Sequence, residues 1–277
     1  MSLRSHPNTR HRPVPSIRVL LLAFAVCCGP VLRAETPGQI FLIDGKVVSG
    51  WIQRVDDDGV IWKIPSGKIG TFPLQNVQEM RLMDPADFRT AVRQLDSDPN
   101  EEAVTVLTTY ADPENPDSYY PVPGNLAGKA AHILFRHYQT RGRIEEAAAW
   151  ALRYEPELSP QMDRPPLLDL YRALASPPPD DFFERARERL KENTPEQNPE
   201  IEYLIAVARD LRGEYTRALT AYARVFSPSG GVLNPHGEFA ISRAVRLLET
   251  HPPETLSQPA RLIESLQKTR DLLYISP

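Results

Sequence analysis

The sequence predicts an α+β protein, mostly α, with a small N-terminal antiparallel β-barrel-like module followed by about five helical hairpins. Three observations predict this arrangement. The spacing of apolar residues changes from two to 3.6 near Asp84. Several Asp-Pro and Asn-Pro pairs follow, a combination typical of helix starts. Segments that begin at Gly142 and Gly213 share a pattern 71 residues apart, which is about two units of the roughly 34-residue period of stacked hairpins.

The first 34 residues have the order of a secretory signal. Residues 1–18 contain four arginines and no acid, and an apolar run from Val19 to Cys28 follows. Ten apolar residues are about half of the ~20 that span a bilayer, so we expect a signal peptide over residues 1–34. Lipid attachment at Cys27 or Cys28 is the alternative, but neither follows a small residue. We therefore expect an exported protein, periplasmic or extracellular.

Removal of that segment changes the charge and the cysteine content. The chain has 32 basic and 36 acidic residues, and five arginines and both cysteines lie in residues 1–34. The mature chain would have 27 basic and 36 acidic residues, a net charge of −9. An acidic protein is a poor match for nucleic acid. A chain without cysteine has no disulfide and no thiolate site, and export without disulfides favours a bacterial envelope.

Residues 35–84 predict five short strands. Asp44-Gly45 and Asp56 to Gly59 mark tight turns, and Gly50 lies inside the long second strand, where it permits a bend. Short strands with tight turns and no helix predict a small antiparallel barrel or curled sheet. The pattern resembles small SH3-like or Sm-like barrels, whose second strand bends strongly. A module this small is near the lower limit for independent stability, so we expect it to pack on the first helical hairpin, Ala86 to Tyr110.

Residues 85–277 predict ten helices. Four pairs of a capping residue and a proline lie at or near predicted helix starts: Asp84-Pro85, Asp98-Pro99, Asn198-Pro199 and Asn234-Pro235. The predicted helices span 85–96, 100–111, 126–140, 143–156, 165–175, 180–192, 199–212, 215–226, 235–249 and 258–273. A proline-rich linker from Asp112 to Gly124 interrupts the series, and we expect it to be solvated.

Two of these hairpins resemble tetratricopeptide (TPR) repeats. In the first, Leu134 and Tyr138 match the first helix of the family and Ala147 matches the second. In the second, Ala206 matches the small residue of the first helix. The segment Ala218-Leu-Thr-Ala-Tyr222 matches the second helix.

The match is incomplete. Phe135 replaces a small residue, Ala151 replaces an aromatic and Arg209 replaces a tyrosine, while the unit from Leu167 to Leu190 lacks the pattern. We therefore predict a degenerate TPR-like α-solenoid, with an irregular helical bundle as the alternative. Small residues let antiparallel helices approach closely, and the aromatic fills the remaining gap.

The sequence contains no recognised catalytic or cofactor motif, so we predict a non-enzymatic protein without a cofactor. His132 and His137 are five residues apart, whereas a metal pair on one helix face needs a spacing of four. The acids at Asp56 to Asp58 favour a hairpin turn over a calcium loop. The linker acids and Tyr119-Tyr120 could instead hold a cation or a glycan.

We predict a scaffold or adaptor that binds another envelope protein or peptide and no nucleic acid, with no membrane span in the mature chain. A ligand- or glycan-binding protein that uses Trp51 and Trp62 of the β module is the alternative. We also expect charge reversal at Arg136 and Glu200 to abolish partner binding and to leave stability nearly unchanged. The resemblance implies a groove lined by the first helices of the hairpins, with partner-facing residues Lys129, His132 and Arg136 in one unit and Glu200, Tyr203 and Asp210 in another.

Overall fold

A five-stranded antiparallel sheet precedes ten helices in the part of the chain that the structure describes. The structure is a computed structural model that describes residues 36–97, 101–115, 118, 120–192, 198–226 and 236–273. The predicted signal segment and the pairs Asp98-Pro99 and Asn234-Pro235 lie outside those residues. Within them, no helix is long and apolar enough to cross a membrane.

The strands and helices follow the predicted order. The strands are β1 Thr36–Leu42, β2 Val47–Asp56, β3 Gly59–Lys63, β4 Ile69–Phe72 and β5 Val77–Leu82. The helices are α1 Ala86–Ser97, α2 Glu101–Tyr110, α3 Leu126–Thr140, α4 Ile144–Arg153, α5 Leu168–Leu174, α6 Phe182–Glu192, α7 Asn198–Leu211, α8 Tyr215–Phe226, α9 Gly237–Thr250 and α10 Pro259–Leu273. The mixed, mostly helical class is confirmed, and the predicted helix ends agree with the structure to within three residues.

The long strand β2 belongs to two halves of the sheet. Its residues 47–52 pair with β1, and residues 51–56 pair with β3. The two sets overlap at Trp51 and Ile52, which follow Gly50. A side chain at Gly50 would collide with the backbone carbonyl of Lys63, so glycine allows the two strands to approach there.

The predicted barrel is wrong, because the sheet is open. Its strand order is β4-β3-β2-β1-β5, so β4 and β5 form the two edges. The outer edge of β5 is covered by the linker that precedes α3, where the Met80 N–H donates to the carbonyl of Pro123 at 2.8 Å. The linker thus occupies the edge of β5 that a closing strand would have taken.

The same linker completes the core of the β module. Tyr120 and Val122 are buried and pack with the buried sheet residues, which are Ile40, Ile52, Val60, Trp62, Val77 and Met80. Ser118 is also buried. The expectation of a solvated linker is therefore wrong for its second half, while Asp117 and Tyr119 lie outside the described residues. Burial of an aromatic ring and a valine supplies apolar area that a module of this size lacks on its own.

Each helix from α1 to α10 packs against its neighbours in the chain. Alanines lie at the contacts of α3–α4 and α7–α8, where Ala147, Ala151 and Ala218 are fully buried. Phe135 is also fully buried, and its ring meets that of Tyr171 edge to face at 5.1 Å between centroids. The large side chain at this position therefore packs against α5.

Two later helices return to the turn between α3 and α4. From α7, the Tyr203 hydroxyl donates to the Gly142 carbonyl at 3.3 Å. From α9, Arg243 forms an ion pair with Glu145, and the ring of Phe239 lies against Gly142. Residues about 60 to 100 positions apart are therefore neighbours around this one turn.

Candidate functional site

The predicted site residues of α3 make contacts within the protein. The Lys129 ammonium donates to the Asp84 carboxylate at 2.5 Å. His132 is buried, with Nε2 3.1 Å from the Asp163 carbonyl oxygen. Arg136 is exposed but donates to the Gln139 side chain at 2.6 Å. Of the three, Arg136 offers the most surface to a partner.

Burial lowers the pKa of His132. Loss of hydration disfavours the imidazolium, the hydrogen bond to Asp163 partly opposes this, and the nearby Arg136 adds to it. The Nδ1 atom is buried and has no hydrogen-bond partner in the part of the chain that the structure describes. His132 is therefore a mostly neutral side chain near pH 7.

The predicted site residues of α7 are also held by the protein. Glu200 accepts hydrogen bonds from the Gln139 amide at 2.6 Å and from the Tyr171 hydroxyl at 2.7 Å. Tyr203 is fully buried. Asp210, which is largely buried, pairs with Arg246 of α9 at 3.1 Å. These bonds connect α7 to α3, α5 and α9.

The six residues therefore do not line a single open groove. Arg136 and Glu200 are brought together, but only through Gln139, which lies between them and is buried. Tyr203 is in the core because its ring packs among His236, Phe239 and Tyr222. Charge reversal at Glu200 would leave two buried donors without an acceptor, so we now expect it to destabilise the fold. The expectation of nearly unchanged stability needs that correction.

A shallow depression remains beside the predicted residues of α3. It has a volume of about 310 Å³ and is lined by His132, Arg136 and residues 161–166. Its charges are mixed, since Arg136 and Arg164 lie near Asp163. This is the part of the predicted groove that is open to solvent.

The two tryptophans of the β module lie in different surroundings. Trp62 is fully buried in the core of the sheet, so its face cannot stack on a sugar. Trp51 is half-buried. The glycan-binding alternative therefore loses one of its two proposed stacking faces.

The predicted turn at the aspartate run is confirmed. β2 ends at Asp56 and β3 begins at Gly59, while the Asp58 N–H donates to the Asp56 carboxylate at 3.2 Å. Arg54 pairs with Asp56 at 2.9 Å. Across the described residues, no group of three or more His, Cys, Asp or Glu side chains is placed to hold a metal ion.

A cleft between α6, α7 and α8 was not predicted from the sequence. It has a volume of about 120 Å³ and combines three arginines, one acid and an apolar floor. We call it the arginine cleft, and its lining residues are Phe183, Arg187, Leu190, Glu202, Ile205, Arg209, Ala221 and Arg224. No local spacing relates arginines from three helices, so only the packing of α6 and α8 on α7 reveals the cluster.

Comparison with known proteins gave no match to a family model, to a curated protein or to a solved structure. The resemblance to TPR hairpins therefore rests on the residues of this chain and on the packing of its helices.

Proposed function

We propose that the protein is an exported, non-enzymatic scaffold or adaptor of the bacterial cell envelope that binds another envelope protein or peptide. Its helices would form a degenerate TPR-like α-solenoid. The order of residues 1–34 supports export. Consecutive helix packing and the buried alanines Ala147 and Ala218 support the hairpin array. Such arrays present surfaces that extend over several helices, and these surfaces suit protein partners.

The arginine cleft is the observation that carries this proposal. Arg187 and Arg224 are exposed and, among the described residues, have no carboxylate within salt-bridge distance. Half-buried Phe183, Leu190 and Ile205 line the same cleft. Arginine and aromatic side chains next to apolar surface are the residues enriched at protein interfaces.

Partner binding is tested by chemical crosslinking in intact cells, followed by isolation of the tagged protein under denaturing conditions. We expect one envelope protein in a fixed ratio to the tagged chain. A tagged exported protein of similar size and charge serves as the control. Recovery of the tagged chain alone, or of the same proteins as the control, would contradict the adaptor proposal.

Export is tested separately by sequencing the N-terminus of the protein from the envelope fraction. We expect a new N-terminus close to Glu35. An intact Met1 in that fraction would refute cleavage. A lipid on Cys27 or Cys28 would show that the protein is a lipoprotein.

A further inference from the structure

The positive charge of the arginine cleft is not neutralised within the described protein. Nearby arginines outside the cleft are paired, since Arg212 contacts Asp180 at 3.0 Å and Arg217 contacts Glu214 at 3.3 Å. Arg187 and Arg224 have no such partner in the described ranges. The one acid of the cleft, Glu202, forms no ion pair with them. The cleft therefore keeps a net positive charge on a chain whose overall charge is −4.

The arginines of the cleft are close enough to repel one another. Burial lowers the pKa of Arg209, Glu214 partly opposes this, and the positive charges of Arg217, Arg224 and Arg187 lower it further. A bound carboxylate would relieve this repulsion, and a guanidinium can hold a carboxylate by two parallel hydrogen bonds. The cleft thus favours an anion with planar, bidentate geometry.

The floor of the cleft adds an apolar requirement. Phe183 lies under two guanidinium groups, with Arg209 and Arg212 at 5.7 and 5.5 Å from the centre of its ring. Leu190 and Ile205 are half-buried beside it. The volume of about 120 Å³ admits a side chain and not a whole helix. A ligand that suits both features carries carboxylates next to an aromatic or aliphatic side chain.

We infer that the arginine cleft binds an extended acidic segment of a partner protein, in which Asp or Glu residues flank an apolar side chain. This rests on the proposed adaptor function and specifies the partner. A nucleic acid fits less well, because Glu202 lies in the cleft and, among the described residues, three arginines line it. Electrostatic attraction would speed the encounter, and the apolar floor would hold the bound segment.

The test measures binding of a fluorescent peptide of alternating Asp, Glu and Phe residues to the purified full-length protein by anisotropy. The comparison peptide replaces every acid by its amide. We expect the acidic peptide to bind at least about tenfold more tightly than the amide peptide, and to weaken as salt is raised. Equal binding of the two peptides would overturn the inference.

Variants locate the binding to the cleft. The double variant Arg187→Glu, Arg224→Glu should lose about tenfold or more in affinity. The control Arg261→Glu, Lys268→Glu makes the same change of charge on exposed positions of α10 and should alter affinity by less than about twofold. Equal losses in the two variants would show general charge attraction and contradict the cleft. The double variant Arg187→Gln, Arg224→Gln removes the charges without reversing them and should give an intermediate loss of affinity. It replaces the reversal variant if charge reversal impairs folding.

Competition separates an acidic segment from other anions. Inorganic phosphate and heparin should displace the peptide only at concentrations far above that of unlabelled acidic peptide. Displacement by phosphate or heparin at matched concentrations would make the cleft a general anion site and overturn the inference. If crosslinking in cells captures a partner but the acidic peptide does not bind, the adaptor proposal stands and the acidic ligand is rejected. If the peptide binds but crosslinking captures no partner, only the adaptor proposal is rejected.

Discussion

The turns at Gly142 and Gly213 have nearly the same backbone in very different surroundings. Both glycines have positive φ, 62° and 72°, and each follows the first helix of a helical hairpin by two residues. Gly142 is buried, and a side chain there would overlap the ring of Phe239. Gly213 is exposed, and the nearest atom to an added side chain would be the Tyr215 hydroxyl oxygen at 3.9 Å. A repeated sequence pattern therefore fixes the turn and leaves its neighbours undetermined.

The difference arises because helices that follow later in the chain pack onto the α3–α4 hairpin. α7 and α9 both reach the α3–α4 turn, through Tyr203 and through Arg243 and Phe239. The Gly213 N–H donates to the Asp210 carbonyl at 2.9 Å. Distant elements reach the α7–α8 turn only at residues that flank Gly213, where Arg212 pairs with Asp180 at 3.0 Å and the ring of His251 stacks on Tyr215, among the described residues. The turn at Gly142 should therefore depend more on packing against distant helices than the turn at Gly213.

The largest expected effect is on the turns themselves. Gly142→Ala should lower the free energy of unfolding by about 2–4 kcal/mol, because left-handed strain adds to overpacking against Phe239. Gly213→Ala should cost only the backbone strain, about 1–2 kcal/mol. Urea denaturation of both variants measures this, and equal losses would mean that α9 does not cover the first turn.

A smaller effect is expected at the ion pair that joins α4 to α9. Arg243 is 13% exposed and Glu145 is 44% exposed, so Glu145→Ala leaves a mostly buried guanidinium without this partner. We expect a loss of about 1–3 kcal/mol. The position of the α7–α8 hairpin that is equivalent to Glu145 is the exposed Thr216. Alanine there should change the free energy of unfolding by no more than about 0.5 kcal/mol.

Glu146 is the matched control for this pair. It lies in the same first turn of α4 and pairs with Arg143, and both side chains are substantially exposed. Glu146→Ala should cost at most about 1 kcal/mol. If Glu145→Ala and Glu146→Ala had the same effect, the pair with Arg243 would contribute nothing beyond the charge at the helix start.

A further effect, confined to the two ends of the pH range, should appear as opposite pH dependence at equivalent positions of the α3–α4 and α7–α8 hairpins. His132 and Tyr203 are 71 residues apart and both are buried. Burial lowers the pKa of His132, so its contribution to stability is complete above about pH 6.5 and is lost as the pH falls below it. Burial raises the pKa of Tyr203 to about 12, so its contribution is complete below about pH 10 and is lost between there and about pH 12.

Two conservative variants isolate these contributions. Tyr203→Phe should make the alkaline fall of the unfolding free energy shallower, by a difference on the order of 2 kcal/mol near pH 12. His132→Gln should make the fall between pH 7 and 5 shallower and leave the alkaline limb unchanged. The other buried tyrosines and histidines are the same in the parent and the variants, so they do not affect the comparison. If the unfolding free energies of parent and variant ran parallel with pH, the burial assigned to Tyr203 and His132 would be contradicted.

Local signals in the sequence were sufficient for the elements of the fold. The helix ends follow from Pro85, from the change of apolar spacing and from the glycines at 142 and 213. The start of α3 has a cap that the prediction did not use, since the Asn125 side chain accepts from the Gly128 N–H at 2.7 Å. The hairpin turn at Asp57-Asp58 also depends only on neighbouring residues.

Contacts between distant residues could not be predicted in the same way. The linker acids and prolines indicate solvent exposure, yet Tyr120 and Val122 complete the β core. The predicted groove assumed that α3 and α7 expose equivalent faces. Gln139, which the TPR pattern does not mark, instead connects Arg136 to Glu200. The arginine cleft combines residues of three helices, and no spacing of residues along the chain predicts it.

The most direct test places a photo-crosslinking amino acid at Glu202 in one strain and at Arg136 in another. Glu202 lines the arginine cleft, and its replacement keeps all three arginines of the cleft. Arg136 is exposed and lies in the groove predicted from the sequence. We expect irradiation of intact cells to give a defined protein adduct from position 202 and none from position 136. An adduct from position 136 and none from position 202 would contradict the account and restore the predicted groove as the binding surface.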